Sequence, residues 1–68
     1  MPVIEVHMLE GRSQETKELL MRRMTDLVAE TLNTKTSAVR IIIDEMKLEH
    51  FAIDGESVAK RRREGKRA

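Results

Sequence analysis

Apolar positions along the chain fall into three stretches separated by polar turns. Val3 to Leu9 alternates, with Ile4, Val6 and Met8 on one face and Val3, Glu5, His7 and Leu9 on the other. That period of two predicts a β-strand. Glu10-Gly11-Arg12 follows as a short connector, in which Gly11 is free to take a positive φ. Ser13 is a good helix N-cap, and Glu15 places negative charge in the first turn. The helix is predicted from about Gln14 to Leu32, with a stripe of Leu20, Met24, Leu27, Val28, Thr31 and Leu32 for the core. Lys17, Glu18, Arg22, Arg23, Asp26 and Glu30 take its other faces, and Asn33 is a left-handed stop. After a polar loop over Thr34–Ser37, with room for one turn of tight helix, a second strand is predicted from Val39 to Met46. The run Ile41-Ile42-Ile43 at its centre implies burial on both faces. Phe51-Ala52-Ile53 before Asp54-Gly55 reads as the start of a short hairpin, since Asp-Gly favours the two-residue turn.

Strand, helix and strand in that order make one βαβ unit, with parallel strands joined by a right-handed crossover. A two-stranded sheet with one helix leaves open edges and an uncovered face. At 68 residues the chain is expected to be a single domain, residues 1–68, with one small core. A chain of about 60 residues buries only about 60% of its unfolded surface. Small folds normally add disulfides, metal or self-association. The chain has no cysteine and only two histidines, His7 and His50, which removes disulfides and leaves no convincing zinc site. Both histidines read as structural or exposed. Self-association is therefore the expected source of further buried area, and the Phe51–Val58 hairpin is a candidate to reach a neighbouring chain. Lack of cysteine suits a reducing compartment. With no signal peptide and no long apolar run, a soluble cytoplasmic protein with no membrane partner is expected.

Net charge is +1, unevenly placed: residues 1–58 hold 7 Lys/Arg and 11 Asp/Glu, residues 59–68 hold 6 and 1. A mildly acidic body thus carries a basic tail, which reads as a solvated, flexible segment over 60–68. Its alternative reading is an arm for nucleic acid, in a non-enzymatic binding module. No aromatic interleaves it, Phe51 being the only one in the chain, so base stacking is unavailable and nucleic acid is not expected as a partner.

Candidate chemistry begins at Pro2. A small residue at position two permits removal of Met1, which would make Pro2 a free secondary amine of fixed direction. Free α-amino groups titrate at about 7.7–8.0. Nearby cations or burial would lower that value and leave more free base at neutral pH.

Pro2 behind Met1, Met8-Leu9-Glu10-Gly11-Arg12-Ser13, Val39-Arg40-Ile41-Ile42-Ile43-Asp44-Glu45-Met46 and His50-Phe51-Ala52-Ile53-Asp54-Gly55-Glu56 together resemble the 4-oxalocrotonate tautomerase family. The match runs from Pro2 to about Arg63 in the family's length and element order. The resemblance implies an α/β fold, a β-α-β monomer with a short C-terminal hairpin, assembled into dimers and a hexamer, a trimer of dimers. It implies a cofactor-independent isomerase with no metal. Its substrate would be a small dicarboxylate: a 2-hydroxydienoate of the 2-hydroxymuconate type, ketonised in aromatic hydrocarbon catabolism. By the same resemblance Pro2 is the general base. Arg40, supplied by a neighbouring chain, stabilises developing enolate charge. Arg12 holds the distal carboxylate, Phe51 lines the pocket, and the Leu9 backbone amide faces the substrate region. Ala52 and Asp54 stand where well-known members are richer in glycine, and Asp54 adds negative charge to the hairpin. Related members dehalogenate or hydrate unsaturated acids with the same proline, and a tautomerase fold that only assembles is a further alternative.

Overall fold

The structure is a computed structural model that describes residues 1–67. Its elements are β1 (Val3–Leu9), α1 (Gln14–Leu32), β2 (Arg40–Met46), β3 (Ala52–Ile53), β4 (Glu56–Ser57) and α2 (Val58–Arg63), with 3₁₀ turns at Thr36–Ala38 and Leu48–His50. Strands β1 and β2 pair in parallel, Val3 against Arg40 through Leu9 against Met46. Strands β3 and β4 pair antiparallel, Ala52 with Ser57 and Ile53 with Glu56. The architecture is the βαβ unit and hairpin that the sequence predicts, followed by a second helix that it does not.

Local chemistry sets the boundaries of α1. The Ser13 side chain accepts from the Thr16 amide at 3.1 Å, satisfying a first-turn donor. At the other end Asn33 takes φ 53 and ψ 55, and its amide and that of Thr34 close on carbonyls of the last turn. Gly11 sits at φ 126 in the connector, a conformation that glycine adopts without steric cost. In the hairpin, Asp54 and Gly55 have φ 54 and 79, the two positive values a type I′ turn demands. Strand β2 begins at Arg40, one residue later than predicted, because the buried Val39 closes the preceding 3₁₀ turn through its amide to Thr36 O.

Helix α1 covers the face of the sheet carrying Ile4, Val6, Met8, Ile41 and Ile43, all partly buried. Its packed side differs from the predicted stripe. Leu20, Met24 and Val28 lie on it, joined by Met21 and the buried Ala29, but Leu27 and Leu32 are 63% and 60% exposed and Thr31 is also exposed. Lys17, assigned to the outer faces, instead reaches Glu45 Oε1 at 2.8 Å, with only 15% of its side chain exposed. That pair is partly shielded from water and clamps α1 to β2.

The opposite sheet face is open in a single chain. It presents Val3, Glu5 and His7 beside Arg40, Ile42 and Asp44, all exposed. Ile42 is 49% exposed, so the expected two-sided burial of Ile41-Ile42-Ile43 is not met within one chain. His7 lies between two carboxylates, 3.0 Å from Asp44 and 3.5 Å from Glu5. His50 is exposed at the end of its turn.

Beyond β2 the chain leaves this unit as an arm, and α2 packs against the turn at Leu48–His50. The molecule is elongated, 46 × 23 × 15 Å, with a radius of gyration of 15.4 Å. A compact chain of this length would have about 11 Å. Its fully buried side chain, Val58, lies at the root of α2 rather than under α1. The run expected to be flexible from residue 60 is helical through Arg63, because Ser57 caps the Lys60 amide, Val58 is buried and Glu56 ties the cations down. Ala68, the last residue of that predicted tail, lies outside the described residues. Among the described residues, no helix is long and apolar enough to cross a membrane.

Candidate active site

Parallel pairing places the starts of β1 and β2 together. The Arg40 amide donates to the Pro2 carbonyl at 2.9 Å, so proline and arginine are neighbours at one end of the sheet. Pro2 is half-buried, and Met1 ahead of it is 80% exposed. While Met1 is attached, the Pro2 nitrogen is a tertiary amide and not a base. The Arg40 guanidinium turns back on the preceding loop, where Nη1 donates to Ser37 O at 2.6 Å and more weakly to Val39 O at 3.4 Å. A guanidinium carries five N–H donors. Nε and Nη2 make no bond among the described residues, which leaves one edge of the fork for an anion.

Leu9, Arg12 and Phe51 lie at the other end. Seven residue steps separate Leu9 from Pro2, roughly 23 Å at about 3.3 Å per residue. The Glu10 amide donates to Met46 O at 2.9 Å and closes the sheet there. Arg12 follows, exposed in the connector with no ion-pair partner among the described residues. A cation beside a helix N-terminus gains nothing from the helix dipole, so its position has no structural advantage within the chain. Phe51 leads into β3; its carbonyl accepts from the Val58 amide at 2.8 Å, and it is 39% exposed.

One chain therefore brings the backbones of Pro2 and Arg40 together, whereas the resemblance implies an Arg40 supplied by a neighbouring chain, and it holds Leu9, Arg12 and Phe51 apart from them. A shallow groove of about 290 Å³ lies along α1 between Glu18, Met21, Arg22 and Thr25, and contains none of the five. No group of three or more His, Asp or Glu side chains among the described residues is placed to hold a metal ion. Sequence reasoning did not anticipate Glu56. Its carboxyl is held down to about 2 by hydrogen bonds from Lys66 and Lys60, and Lys66 is correspondingly raised by Glu56 and Glu64. The spacing of Glu56 and Lys60, i and i+4, was the available signal.

A family model described as "Tautomerase enzyme" matches residues 2–61. The chain belongs to the tautomerase family. It is an isomerase of the tautomerase type. It is similar to 2-hydroxymuconate tautomerase of Pseudomonas putida, with 44% identity over 63 residues covering 93% of this chain and 100% of the relative. TomN, a 4-oxalocrotonate tautomerase homologue in the tomaymycin biosynthetic pathway, superposes with a TM-score of 0.88 at 42% identity, over 91% of this chain and 95% of that one. A heterohexameric 4-oxalocrotonate tautomerase from Chloroflexus aurantiacus superposes with a TM-score of 0.84 at 35% identity, over 88% and 97%. The fold is thus the tautomerase fold.

Proposed function

We propose that this tautomerase ketonises a 2-hydroxydienoate dicarboxylate of the 2-hydroxymuconate type, with Pro2 as general base after removal of Met1. The observation that carries this reading is the adjacency of Pro2 and Arg40 at one end of the sheet, with Arg12, Leu9 and Phe51 at the other. A base and one cation need the second cation and the apolar wall from elsewhere, and a further copy of the chain is the available source. The incomplete core, the exposed Val3 and Ile42 on the open face, and the elongated shape all favour such an assembly. So does the heterohexamer among the similar structures. We take the assembly to be a homohexamer, a trimer of dimers, each site drawing residues from neighbouring chains.

The chemistry follows from the residue types. The amine of Pro2 takes the hydroxyl proton of the dienol, electrons move through the conjugated system, and the same nitrogen returns a proton to carbon. Arg40 binds one carboxylate end and stabilises the developing enolate oxygen. Arg12 clamps the distal carboxylate by paired hydrogen bonds, which fixes orientation. The Leu9 amide faces the substrate region as a further donor. Phe51 excludes water and strengthens each charge interaction. Two cations beside Pro2 oppose its protonation and keep it a free base near neutral pH.

The test is the ketonisation rate of 2-hydroxymuconate, followed by ultraviolet absorbance on protein shown by mass spectrometry to begin at Pro2. Turnover that is lost when Met1 is retained, and lost again in Pro2→Ala, supports the reading. No turnover by the processed protein would reject the dicarboxylate and leave another unsaturated acid to be sought.

A further inference from the structure

The Glu56 carboxylate is the meeting point of three cations. Lys66 Nζ lies 2.9 Å away, Lys60 Nζ 3.1 Å and Arg61 Nη1 3.6 Å. These partners come from α2 and from the segment after it, whereas Glu56 itself belongs to β4. Lys66 is shared with Glu64 at 3.3 Å, and Arg61 also donates from Nε to the carbonyl of Arg67 at 3.1 Å. A single side chain therefore fastens the hairpin to α2 and to Lys66 beyond it.

Helix α2 needs such a fastening. It has 6 residues, and four of them in succession, Lys60 to Arg63, are cations. Isolated helices of that length do not hold in water, and like charges three residues apart oppose helix formation. The Ser57 cap and the favourable placing of cations in the last turn offset part of that cost. Glu56 supplies the opposite charge that the helix lacks.

The consequence reaches Phe51. Strands β3 and β4 are two residues each, too short to persist alone. Their ladder is extended by the bond from the Val58 amide to the Phe51 carbonyl at 2.8 Å, and Val58 is fully buried where α2 begins. Helix α2 also packs on the Leu48–His50 turn, immediately before Phe51. If α2 melts, Val58 is released and the ladder opens at the Phe51 end.

We propose that Glu56 is a positioning residue, which locks α2 to the β3–β4 hairpin and thereby fixes Phe51 as a wall of the substrate site. The inference rests on the role given to Phe51 above. It assigns to the basic C-terminal run a use inside the molecule, as the counter-charge of one carboxylate.

The test compares Glu56→Gln, Glu56→Asp, Lys66→Met and Phe51→Ala with the parent protein, all processed to Pro2. Two quantities are read: hydrogen exchange at the Val58 amide, and KM and kcat for 2-hydroxymuconate. Glu56→Gln should speed Val58 exchange and raise KM by about three- to tenfold with kcat nearly unchanged, the pattern of lost binding rather than lost chemistry. Glu56→Asp, which keeps the charge, should restore most of both. Lys66→Met, which leaves two cations in place, should move both readouts less and in the same direction; it keeps the test decisive if Glu56→Gln does not assemble. Unchanged Val58 exchange and KM in Glu56→Gln, alongside a raised KM in Phe51→Ala, would overturn the role of Glu56 while leaving the site reading intact. Unchanged KM in Phe51→Ala would instead overturn the site reading, and the proposal with it.

Discussion

The βαβ unit and the C-terminal arm are held together by different forces. In the first, Ile4, Val6, Met8, Ile41 and Ile43 meet Leu20, Met24, Val28 and Ala29, and apolar area sets the register. In the second, one fully buried side chain, Val58, is assisted by a carboxylate that gathers three cations. The first region carries Pro2 and Arg40, and the second carries Phe51. A parallel sheet of seven-residue strands keeps these groups at opposite ends of an elongated molecule. On the proposed roles, chemistry and recognition are separated within a chain, and an oligomer is the way to join them.

The largest expected effect lies at the βαβ end. Pro2→Ala should lower kcat/KM by roughly 10² to 10⁴-fold, the usual contribution of a positioned general base, with an unchanged circular dichroism spectrum. Next comes the cation at the far end of the sheet. Arg12→Ala removes a charge-assisted bond of about 1.5–3 kcal/mol, and should raise KM for the dicarboxylate much more than for a monocarboxylate analogue. Equal effects on the two substrates would contradict the role given to Arg12. Third, Val58→Ala deletes two methyl groups at the root of the arm, costing about 2 kcal/mol with the cavity left behind. Hydrogen exchange should rise over residues 51–63 while amides of the paired β1 and β2 stay protected. Uniform loss of protection would merge the two regions into one cooperative unit.

The smallest effect is on pH dependence. The Glu56 carboxyl sits at about 2 in the folded chain against an ordinary value of 4.5. A lowered folded value contributes stability that is complete above 4.5 and lost as pH falls toward 2. Protection of the Val58 amide should therefore weaken over that interval, and Glu56→Gln should flatten the dependence. The pair is partly exposed, so high salt should mimic part of the loss.

Legibility in the sequence followed the same division. Period-two alternation located β1, and the Ser13 cap and Asn33 stop located both ends of α1, because each is a local rule with its own residue. Asp54-Gly55 marked its turn for the same reason. Helix α2 is not legible in the hydrophobic pattern because its cations carry no apolar period; only Ser57 and the Glu56–Lys60 spacing signal it. The pattern predicts Leu27, Leu32 and Ile42 as core, and they are exposed in the single chain. Their pattern describes an environment larger than one chain, whereas Ala29 is buried and too small to stand out in such a pattern. Among the site residues, Pro2 stands out by its own chemistry behind Met1 and Arg40 by the resemblance alone, and their backbone adjacency is a consequence of parallel register. The Arg40 bond to Ser37 O depends on the 3₁₀ turn and had no signal in the residue types.

The proposed site requires Pro2 and Arg12 to act together across chains. It is tested most directly by mixing Pro2→Ala and Arg12→Ala proteins, co-refolding them so that subunits exchange, and measuring kcat/KM for 2-hydroxymuconate. Shared sites predict that some positions regain an intact Pro2 from one chain and an intact Arg12 from another, so that the mixture is well above the sum of the separate variants. A mixture no more active than that sum, with mixed oligomers shown by native mass spectrometry, would contradict a site built from neighbouring chains.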